Sequence, residues 1–244
     1  MGEPNEYAEP TVVRGTYDRI ATHFARTRSN PWPEVESFVD ESDGVDRALD
    51  VGCANGRHAE VLALRARRVT GVDTSRALLE EANRRAETRS YPFEAIQGDA
   101  MALPLRADSV GLAVYVATIH HLPDRPHRVR SLDELGRVLR PGARALVSAW
   151  STVHERFDDE RFDDERFDDE RFDDERDDEK NDGVHGFDTT IDWTLPGGER
   201  VPRFYHIYAP VEFERDLADS NLDVVDSWLS SGNCYAVVTT DPAA

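Results

Sequence analysis

The chain has 244 residues and a formal net charge of −20, from 49 acidic and 29 basic side chains. This length suits one sizeable domain and excludes two ordinary enzyme domains joined by a linker. The longest apolar run, residues 110–119, is too short to span a bilayer, and residues 1–10 lack the cationic start and apolar stretch of a signal peptide. We therefore expect a single soluble domain, residues 1–244, in the cytoplasm and not on a membrane.

The basic side chains are almost all of one kind, since 28 are arginine and only Lys180 is lysine. An acidic protein with almost no lysine suits a cytoplasm of molar salt, where repulsion between charges is screened within about 3 Å. GC-rich coding would also favour arginine but does not explain the acid excess, so the composition predicts an extreme halophile. Cys53 and Cys234 form neither a disulfide framework nor a zinc site by themselves, and no metal is expected.

Short apolar runs alternate with helical patterns between Ala48 and Trp150, which is typical of a parallel βαβ sheet. The predicted strands of this sheet are 48–51, 68–72, 93–98, 110–116 and 143–149. The predicted helices are 17–28, 57–66, 75–88, 125–139 and 210–220. We expect Pro31-Trp32-Pro33 to break the chain and Arg140-Pro141-Gly142 to stop a helix and form a turn. Residues 223–229 and 235–240 are expected to close the fold as an antiparallel pair.

An acidic insertion, residues 155–182, separates the predicted sheet from that closing pair. It repeats the sequence Arg-Phe-Asp-Asp-Glu four times between Arg156 and Glu175. A period of five matches neither a helix nor a strand, because successive phenylalanines would turn by about 140° on a helix and change face on a strand. The repeat therefore predicts a disordered, solvated insertion, with the docking of a partner as the alternative.

Three acids follow the first three predicted strands. Asp50 begins the sequence Asp-Val-Gly-Cys-Ala-Asn-Gly, in which Gly52 and Gly56 let the backbone approach a ligand closely at a helix start. Asp73 ends the second strand, where it can accept hydrogen bonds from ribose hydroxyls, and Asp99 follows the third, where it can accept from an adenine amino group. Each acid alone is also a candidate helix cap or loop carboxylate. Together they fit a nucleoside with an amino-acid tail, since a dinucleotide fold needs no acid at the third strand.

From Tyr17 to Trp150 this motif order resembles the class I S-adenosylmethionine (SAM)-dependent methyltransferases. The resemblance implies an α/β, Rossmann-like, seven-stranded sheet that is mostly parallel with an antiparallel C-terminal strand, and SAM as the cofactor across strands one to three. The cofactor-binding residues that it implies are Tyr17, Asp50, Gly52, Cys53, Gly56, Asp73, Thr74, Asp99, Ala100 and Val116.

A narrower resemblance, to the tRNA wobble-uridine carboxymethyl methyltransferases, is carried by segments outside the cofactor motifs. These segments are 17–24, 27–28, 31–33, 117–122, 203–206 and 232–235, although Cys234 stands where that family usually has an aromatic residue. The resemblance implies that the enzyme esterifies 5-carboxymethyluridine at the first anticodon position. It also implies two partners, the tRNA anticodon loop and a small zinc-ribbon activator that forms a heterodimer by covering the edge strand 93–98.

Methyl transfer to a carboxylate needs a positioned anion and no strong general base. An arginine fork is suited to clamp that anion, and Arg28 and Arg203 flank the expected site, although Arg28 is equally a candidate for the SAM carboxylate. We expect His120 to contact the uracil or its carboxylate and one histidine of the pair His120 and His121 to be structural. Tyr205 is expected to stack on the base, with ordinary core packing as its alternative.

The charge of the chain opposes tRNA binding, because phosphate contacts normally depend on basic residues. Molar salt would remove most of that repulsion, and a local cluster of Arg125, Arg128 and Arg130 could supply phosphate contacts. Two other functions stay open. One is a SAM-dependent methyltransferase acting on a quinone or a metabolite carboxylate, and the other is a non-catalytic subunit with the same fold.

Overall fold

The computed structural model describes residues 6–157 and 185–241. The repeat lies outside the described residues from position 158 onward, so its expected disorder stays a prediction. The strands are β1 (Val45–Val51), β2 (Ala66–Asp73), β3 (Phe93–Gln97), β4 (Val110–Val116), β5 (Leu139–Trp150), β6 (Phe187–Thr194), β7 (Arg200–Ile207), β8 (Asp223–Ser230) and β9 (Asn233–Thr239). The α-helices are α1 (Pro10–Thr27), α2 (Pro33–Asp40), α3 (Arg57–Leu62), α4 (Arg76–Arg89), α5 (Arg125–Val138) and α6 (Pro210–Ala218).

Seven strands form one sheet in the order β3-β2-β1-β4-β5-β9-β8. The first five of these strands are mutually parallel, whereas β9 runs antiparallel to both β5 and β8. The predicted mostly parallel sheet with an antiparallel C-terminal strand is confirmed. β3 lies at one edge of the sheet, as expected.

Alternate side chains of the central strand β4 enter two different cores, one on each face of the sheet. Ala113 and Tyr115 pack towards α5 and α6, whereas Leu112 and Val114 pack towards α2 and α3. All four are at most 2% exposed. Burial on both faces explains why β4 reads in the sequence as a nearly continuous apolar run.

Most predicted boundaries hold to within a few residues, although α3 ends at Leu62 and not at residue 66, and two helix starts differ at prolines. α1 begins at Pro10 and not at residue 17, and Pro33 begins α2, a helix that the sequence reading treated only as a break. Both prolines occupy the first helical turn, where the missing N–H has no intrahelical acceptor. After α5, Gly142 has a positive φ of 74°, but the chain already pairs as β5 from Leu139.

The β6–β7 hairpin is the main element that the sequence reading missed. It forms a separate two-stranded antiparallel sheet directly after the insertion. Strand β7 lies against α1 and against the short 3₁₀ turn Ile119–His121 that follows β4. This contact brings the Arg203–His206 segment to the carboxyl ends of the main sheet. No helix in the described part of the chain is long and apolar enough to cross a membrane.

Candidate functional site

The carboxyl ends of β1, β2, β3 and β4 open into a cavity of about 280 Å³. In parallel α/β sheets this is the edge at which ligands bind. Most of the residues predicted from the sequence line the cavity. They are Tyr17, Arg28, Gly52, Asp73, Thr74, Asp99, Ala100, Val116, His120, Arg203 and Tyr205.

Three predicted cofactor residues, Asp50, Cys53 and Gly56, do not line the cavity but lie behind its wall. Asp50 is 2% exposed, and burial raises the pKa of its carboxyl to about 7. The Ala59 N–H, in the first turn of α3, donates a hydrogen bond to this carboxyl and opposes the shift. Cys53 is buried as well. The structure therefore places these residues where they support the loop between β1 and α3.

Gly52 is required by the shape of that loop. Its φ is +69°, and a Cβ added to it would overlap the side chain of Thr118. The N–H groups of Gly52 and Cys53 both donate to the Val72 carbonyl, which ties the loop to the end of β2. The backbone therefore passes closely along the cavity wall at a position that only glycine fits without strain.

The Asp73 carboxylate is held in a fixed orientation by two backbone donors. The Ser75 N–H donates to Oδ1 at 2.8 Å and the Ala54 N–H donates to Oδ2 at 2.9 Å. Burial raises the pKa of Asp73 to about 6, and the two hydrogen bonds limit that rise. Each oxygen has accepted a single backbone bond and can accept another, so the carboxylate can bind a diol such as a ribose.

Asp99 shares its carboxylate between the cavity and its own loop. The Met101 N–H donates to Oδ1 at 2.9 Å, as in the loop-carboxylate alternative, while the residue also lines the cavity. The Asp99 carboxylate therefore caps its own loop and can also contact a ligand in the cavity.

The two histidines of the 3₁₀ turn have opposite hydrogen-bonding patterns. His121 Nδ1–H donates to the Phe204 carbonyl at 2.8 Å, so its Nε2 accepts from the Tyr17 hydroxyl at 2.8 Å. In His120, Nδ1 accepts from the Trp150 N–H at 3.1 Å, so the neutral ring carries its proton on Nε2. Burial lowers the pKa of His121 to about 4 and that of His120 well below its ordinary value. His121 is thus a bridge between α1 and β7, and His120 is a neutral donor at the cavity.

Tyr205 is packed within the protein. It is 4% exposed, and its ring stacks on that of Trp150 with centroids 4.9 Å apart and planes at 17°. The Tyr205 hydroxyl accepts a hydrogen bond from Arg203 Nη1 at 2.6 Å. This arrangement favours the core-packing alternative for the ring, with the hydroxyl orienting Arg203.

Arg28 and Arg203 meet at a residue that sequence reasoning missed. Their guanidinium carbons lie 5.0 and 4.8 Å from the ring centroid of Trp193 on β6. Arg28 follows the last turn of α1, so the two cations come from distant parts of the chain. Both members of this arginine pair line the cavity that His120 and His121 also line.

Arg57 is a second residue that was missed. It lines the cavity and is 7% exposed, and its Nε has no hydrogen-bond partner among the described residues. Burial lowers the pKa of Arg57 to about 10, which leaves it cationic at neutral pH, and the nearby Asp50 opposes the shift. The signal in the sequence was an arginine directly after Gly56, at the start of a helix on a ligand-binding loop.

Two of the three arginines in the predicted phosphate-binding cluster of Arg125, Arg128 and Arg130 are engaged in ion pairs. Arg128 is 3% exposed and pairs with Glu212 and Asp216, and Arg125 pairs with Asp216 and Asp219. His206 bonds to Asp188 and Glu212 in the same network, and those two bonds raise its pKa against the effect of burial. Arg125 and Arg128 hold α5 to α6, whereas the exposed Arg130 donates to the Met101 carbonyl, so the suggested contact of this cluster with tRNA phosphates stays a prediction.

Strand order, the glycine loop and the acids at the ends of β2 and β3 together define the fold of the class I SAM-dependent methyltransferases. Solved structures with this fold cover almost the whole chain. One is the CcbJ methyltransferase from Streptomyces caelestis, with a TM-score of 0.69 at 17% identity over 93% of this chain and 98% of that chain. Another comes from the complex between the Haloferax volcanii Trm112 methyltransferase activator and a methyltransferase, with a TM-score of 0.64 at 16% identity over 95% and 99%.

Residues 49–147 match the family described as methyltransferase domain. The tRNA (carboxymethyluridine(34)-5-O)-methyltransferase of Mus musculus is 34% identical over 60% of this chain and 21% of its own length. The Saccharomyces cerevisiae enzyme of that name is 32% identical over 59% and 49%, and that of Schizosaccharomyces pombe is 30% identical over 60% and 58%. Residues 49–147 are thus similar to a methyltransferase domain, and the chain spans between a fifth and three fifths of these relatives.

Proposed function

We propose that this protein transfers a methyl group from SAM to the carboxylate of 5-carboxymethyluridine at the wobble position of tRNA, giving the methyl ester. The observation that carries the proposal is the arginine pair. Arg28 and Arg203 lie in the same cavity as the strand-end acids Asp73 and Asp99, with the neutral His120 beside them. A cavity with a nucleoside-binding end and a cationic end fits a donor nucleoside and an anionic acceptor. The likeness to the three eukaryotic enzymes supports the same choice.

The residues of the cavity fit SAM at each of its parts. The two backbone bonds on Asp73 leave oxygens for ribose hydroxyls, and Asp99 has an oxygen left for the adenine amino group. The buried Arg57, whose Nε has no partner among the described residues, suits the methionine carboxylate at the Gly52–Gly56 loop. When bound, SAM supplies an electrophilic methyl group on a sulfonium.

The acceptor needs little activation, because a carboxylate is already a nucleophile at neutral pH. The work left to the protein is to hold the anion in place and to keep water away. Arg203 is 6% exposed and bonded to the Tyr205 hydroxyl, and the exposed Arg28 lies against the same Trp193. His120 offers its Nε2–H to an oxygen of the uracil or the carboxylate. Burial keeps both histidines neutral, as expected for a site that takes no proton from its substrate.

The activator belongs to the same proposal. Strand β3 is at the edge of the main sheet, and its residues Phe93–Gln97 are half-buried or exposed. An edge strand has unpaired backbone groups that a second protein can extend by strand addition. We propose that a small zinc-ribbon protein binds here. Co-expression should raise the yield and activity of the chain, and a monomer with full activity alone would contradict this part of the proposal.

A second candidate is a methyltransferase for a small carboxylate metabolite. The net charge of −20 favours it, as does the engagement of Arg125 and the buried Arg128 in ion pairs, since both features weaken the case for RNA. It keeps Asp73, Asp99 and Arg57 and assigns Arg28 and Arg203 to another anion. A non-catalytic subunit is less well supported, because both strand-end acids line the cavity.

Mass spectrometry of tRNA nucleosides from a strain lacking the gene tests the choice. Accumulated 5-carboxymethyluridine, with loss of its methyl ester, supports the proposal, and an unchanged wobble uridine refutes it. Purified protein should then methylate carboxymethylated tRNA with labelled SAM. A protein with Asp73→Ala serves as the control that retains the substrate arginines but binds the cofactor more weakly.

A further inference from the structure

Trp193 connects two cations that are 175 residues apart in the chain. It lies on β6, is 4% exposed, and its Nε1–H donates to His23 Nδ1 on α1 at 3.0 Å. The guanidinium carbons of Arg28 and Arg203 lie above its ring, 5.0 and 4.8 Å from the centroid. Whichever faces they occupy, the two carbons are therefore no more than about 10 Å apart.

Two guanidinium groups at this separation repel each other, so their convergence must be stabilised by something else. The negative face of an indole attracts a cation, and it does so more strongly when the pair is shielded from water, as it is for the buried Arg203 on the buried Trp193, whereas Arg28 reaches the same ring from an exposed position. The hairpin register strengthens the argument for Arg203. Ile191 pairs with Arg203, so Trp193 is its diagonal neighbour on the same face of the hairpin. The hydrogen bond to His23 fixes the indole relative to the helix that ends beside Arg28.

We propose that Trp193 is a positioning residue for the reaction: its indole holds Arg28 and Arg203 as one anion-binding pair that receives the substrate carboxylate. This inference rests on the proposed function for the identity of that carboxylate. It also assigns Arg28 to the substrate, which leaves Arg57 for the methionine carboxylate. Trp193 itself does not line the cavity and touches no substrate.

A purely structural role is the competing explanation, since Trp193 also packs with Ile20, Phe24 and Leu78. Replacing Trp193 by leucine would alter packing and cation–π attraction together. Site-specific incorporation of trifluoro- and tetrafluorotryptophan separates them, because fluorine weakens the negative face of the ring while the shape is nearly kept. Trp228 provides the matched control, because it stacks on Tyr235 on β9 and lies outside the cavity.

The first measurement is the steady-state kinetics of carboxymethylated tRNA. We expect KM to rise stepwise with fluorination at Trp193, by about 5- to 30-fold in the tetrafluoro protein. The affinity for SAM should stay within twofold, and the urea midpoint should not change beyond the experimental error. The same series at Trp228 should leave KM, SAM affinity and the urea midpoint unchanged. An unchanged KM, or a loss of SAM affinity that parallels fluorination, would overturn the proposal.

The second measurement does not depend on the natural substrate. Acetate, titrated against chloride at constant ionic strength, should shift the side-chain ¹⁵Nε signals of Arg28 and Arg203 with one shared Kd. The signals are assigned with Arg28→Lys and Arg203→Lys, and fluorination at Trp193 should raise that Kd. If the two arginine signals titrate with one Kd but the protein does not methylate carboxymethylated tRNA, the proposed function fails while the arginine pair stands. If the protein methylates carboxymethylated tRNA but the two arginine signals titrate with different Kd values, or only one of them responds to acetate, the proposal that Arg28 and Arg203 act as one pair is wrong.

Discussion

Replacing Arg203 is the most direct test of the substrate carboxylate. Arg203 is 6% exposed, and its guanidinium donates to the Tyr205 hydroxyl through Nη1 and lies on Trp193. A carboxylate bound there is desolvated. Removing its arginine partner therefore costs more binding free energy than removing one member of a surface ion pair. Truncating one member of such a buried pair costs about 2–5 kcal/mol. For Arg203→Ala this corresponds to a fall in kcat/KM of roughly 30- to several-thousand-fold.

Arg203→Lys should be nearly as damaging as Arg203→Ala. An ammonium is a point charge, and it cannot stack on Trp193, donate to Tyr205 and form two parallel bonds to a carboxylate at once. The affinity for SAM should not change in either variant. Arg200→Ala is the matched control, because Arg200 is an exposed arginine on the same strand that pairs with Asp192 at 3.9 Å. Exposed pairs of this kind contribute about 0–1 kcal/mol, so its kinetics should match the unmodified protein.

The assay is steady-state methylation of carboxymethylated tRNA with SAM binding measured in parallel by calorimetry. Wild-type rates in Arg203→Ala would end the clamp hypothesis and favour the metabolite alternative. A loss of SAM affinity equal to the loss of kcat/KM would instead move Arg203 to the cofactor.

Three further predictions concern the cofactor end of the cavity. Asp73→Ala and Asp99→Ala should each weaken SAM binding by ~1–3 kcal/mol, the usual loss for hydrogen bonds to a charged group, and unchanged calorimetric affinity in both would remove SAM from these positions. Gly52→Ala should destabilise the fold by about 1–3 kcal/mol through overlap with Thr118, and urea unfolding should show partial rescue by Thr118→Ala. Because burial raises the pKa of Asp73 to about 6, SAM affinity should fall as the pH drops through 6, and Asp73→Asn should abolish that dependence. The sign for stability is opposite: the folded state holds these protons more tightly, so Asp73 and Asp50 should lower the free energy of unfolding as the pH rises from about 4 to 7.

The sequence by itself determined the sheet and its cofactor edge. Strands such as Val110–Val116 are buried on both faces and read as apolar runs, and the parallel order places the acids after β2 and β3 at one edge. Gly52 is equally local, because its positive φ and its close approach belong to the turn between one strand and the next helix. Asp73 could be predicted to line the cavity from its position at a strand end alone. These features depend on the order of residues close together in the chain, so they can be predicted from the sequence.

Only the tertiary structure decided which side chains meet at the substrate end. The β6–β7 hairpin is a small separate sheet without a strong sequence signal, yet it brings Arg203 to Trp193 and so to Arg28 on another element. The two adjacent histidines were alike in the sequence, and their difference comes from the Phe204 carbonyl and the Trp150 N–H, both supplied by distant strands. Arg128 looked like a surface cation until Glu212 and Asp216 on α6 were found to bury it. Each of these outcomes depends on contacts between residues far apart in the chain, and the local sequence does not specify which partner a side chain will meet.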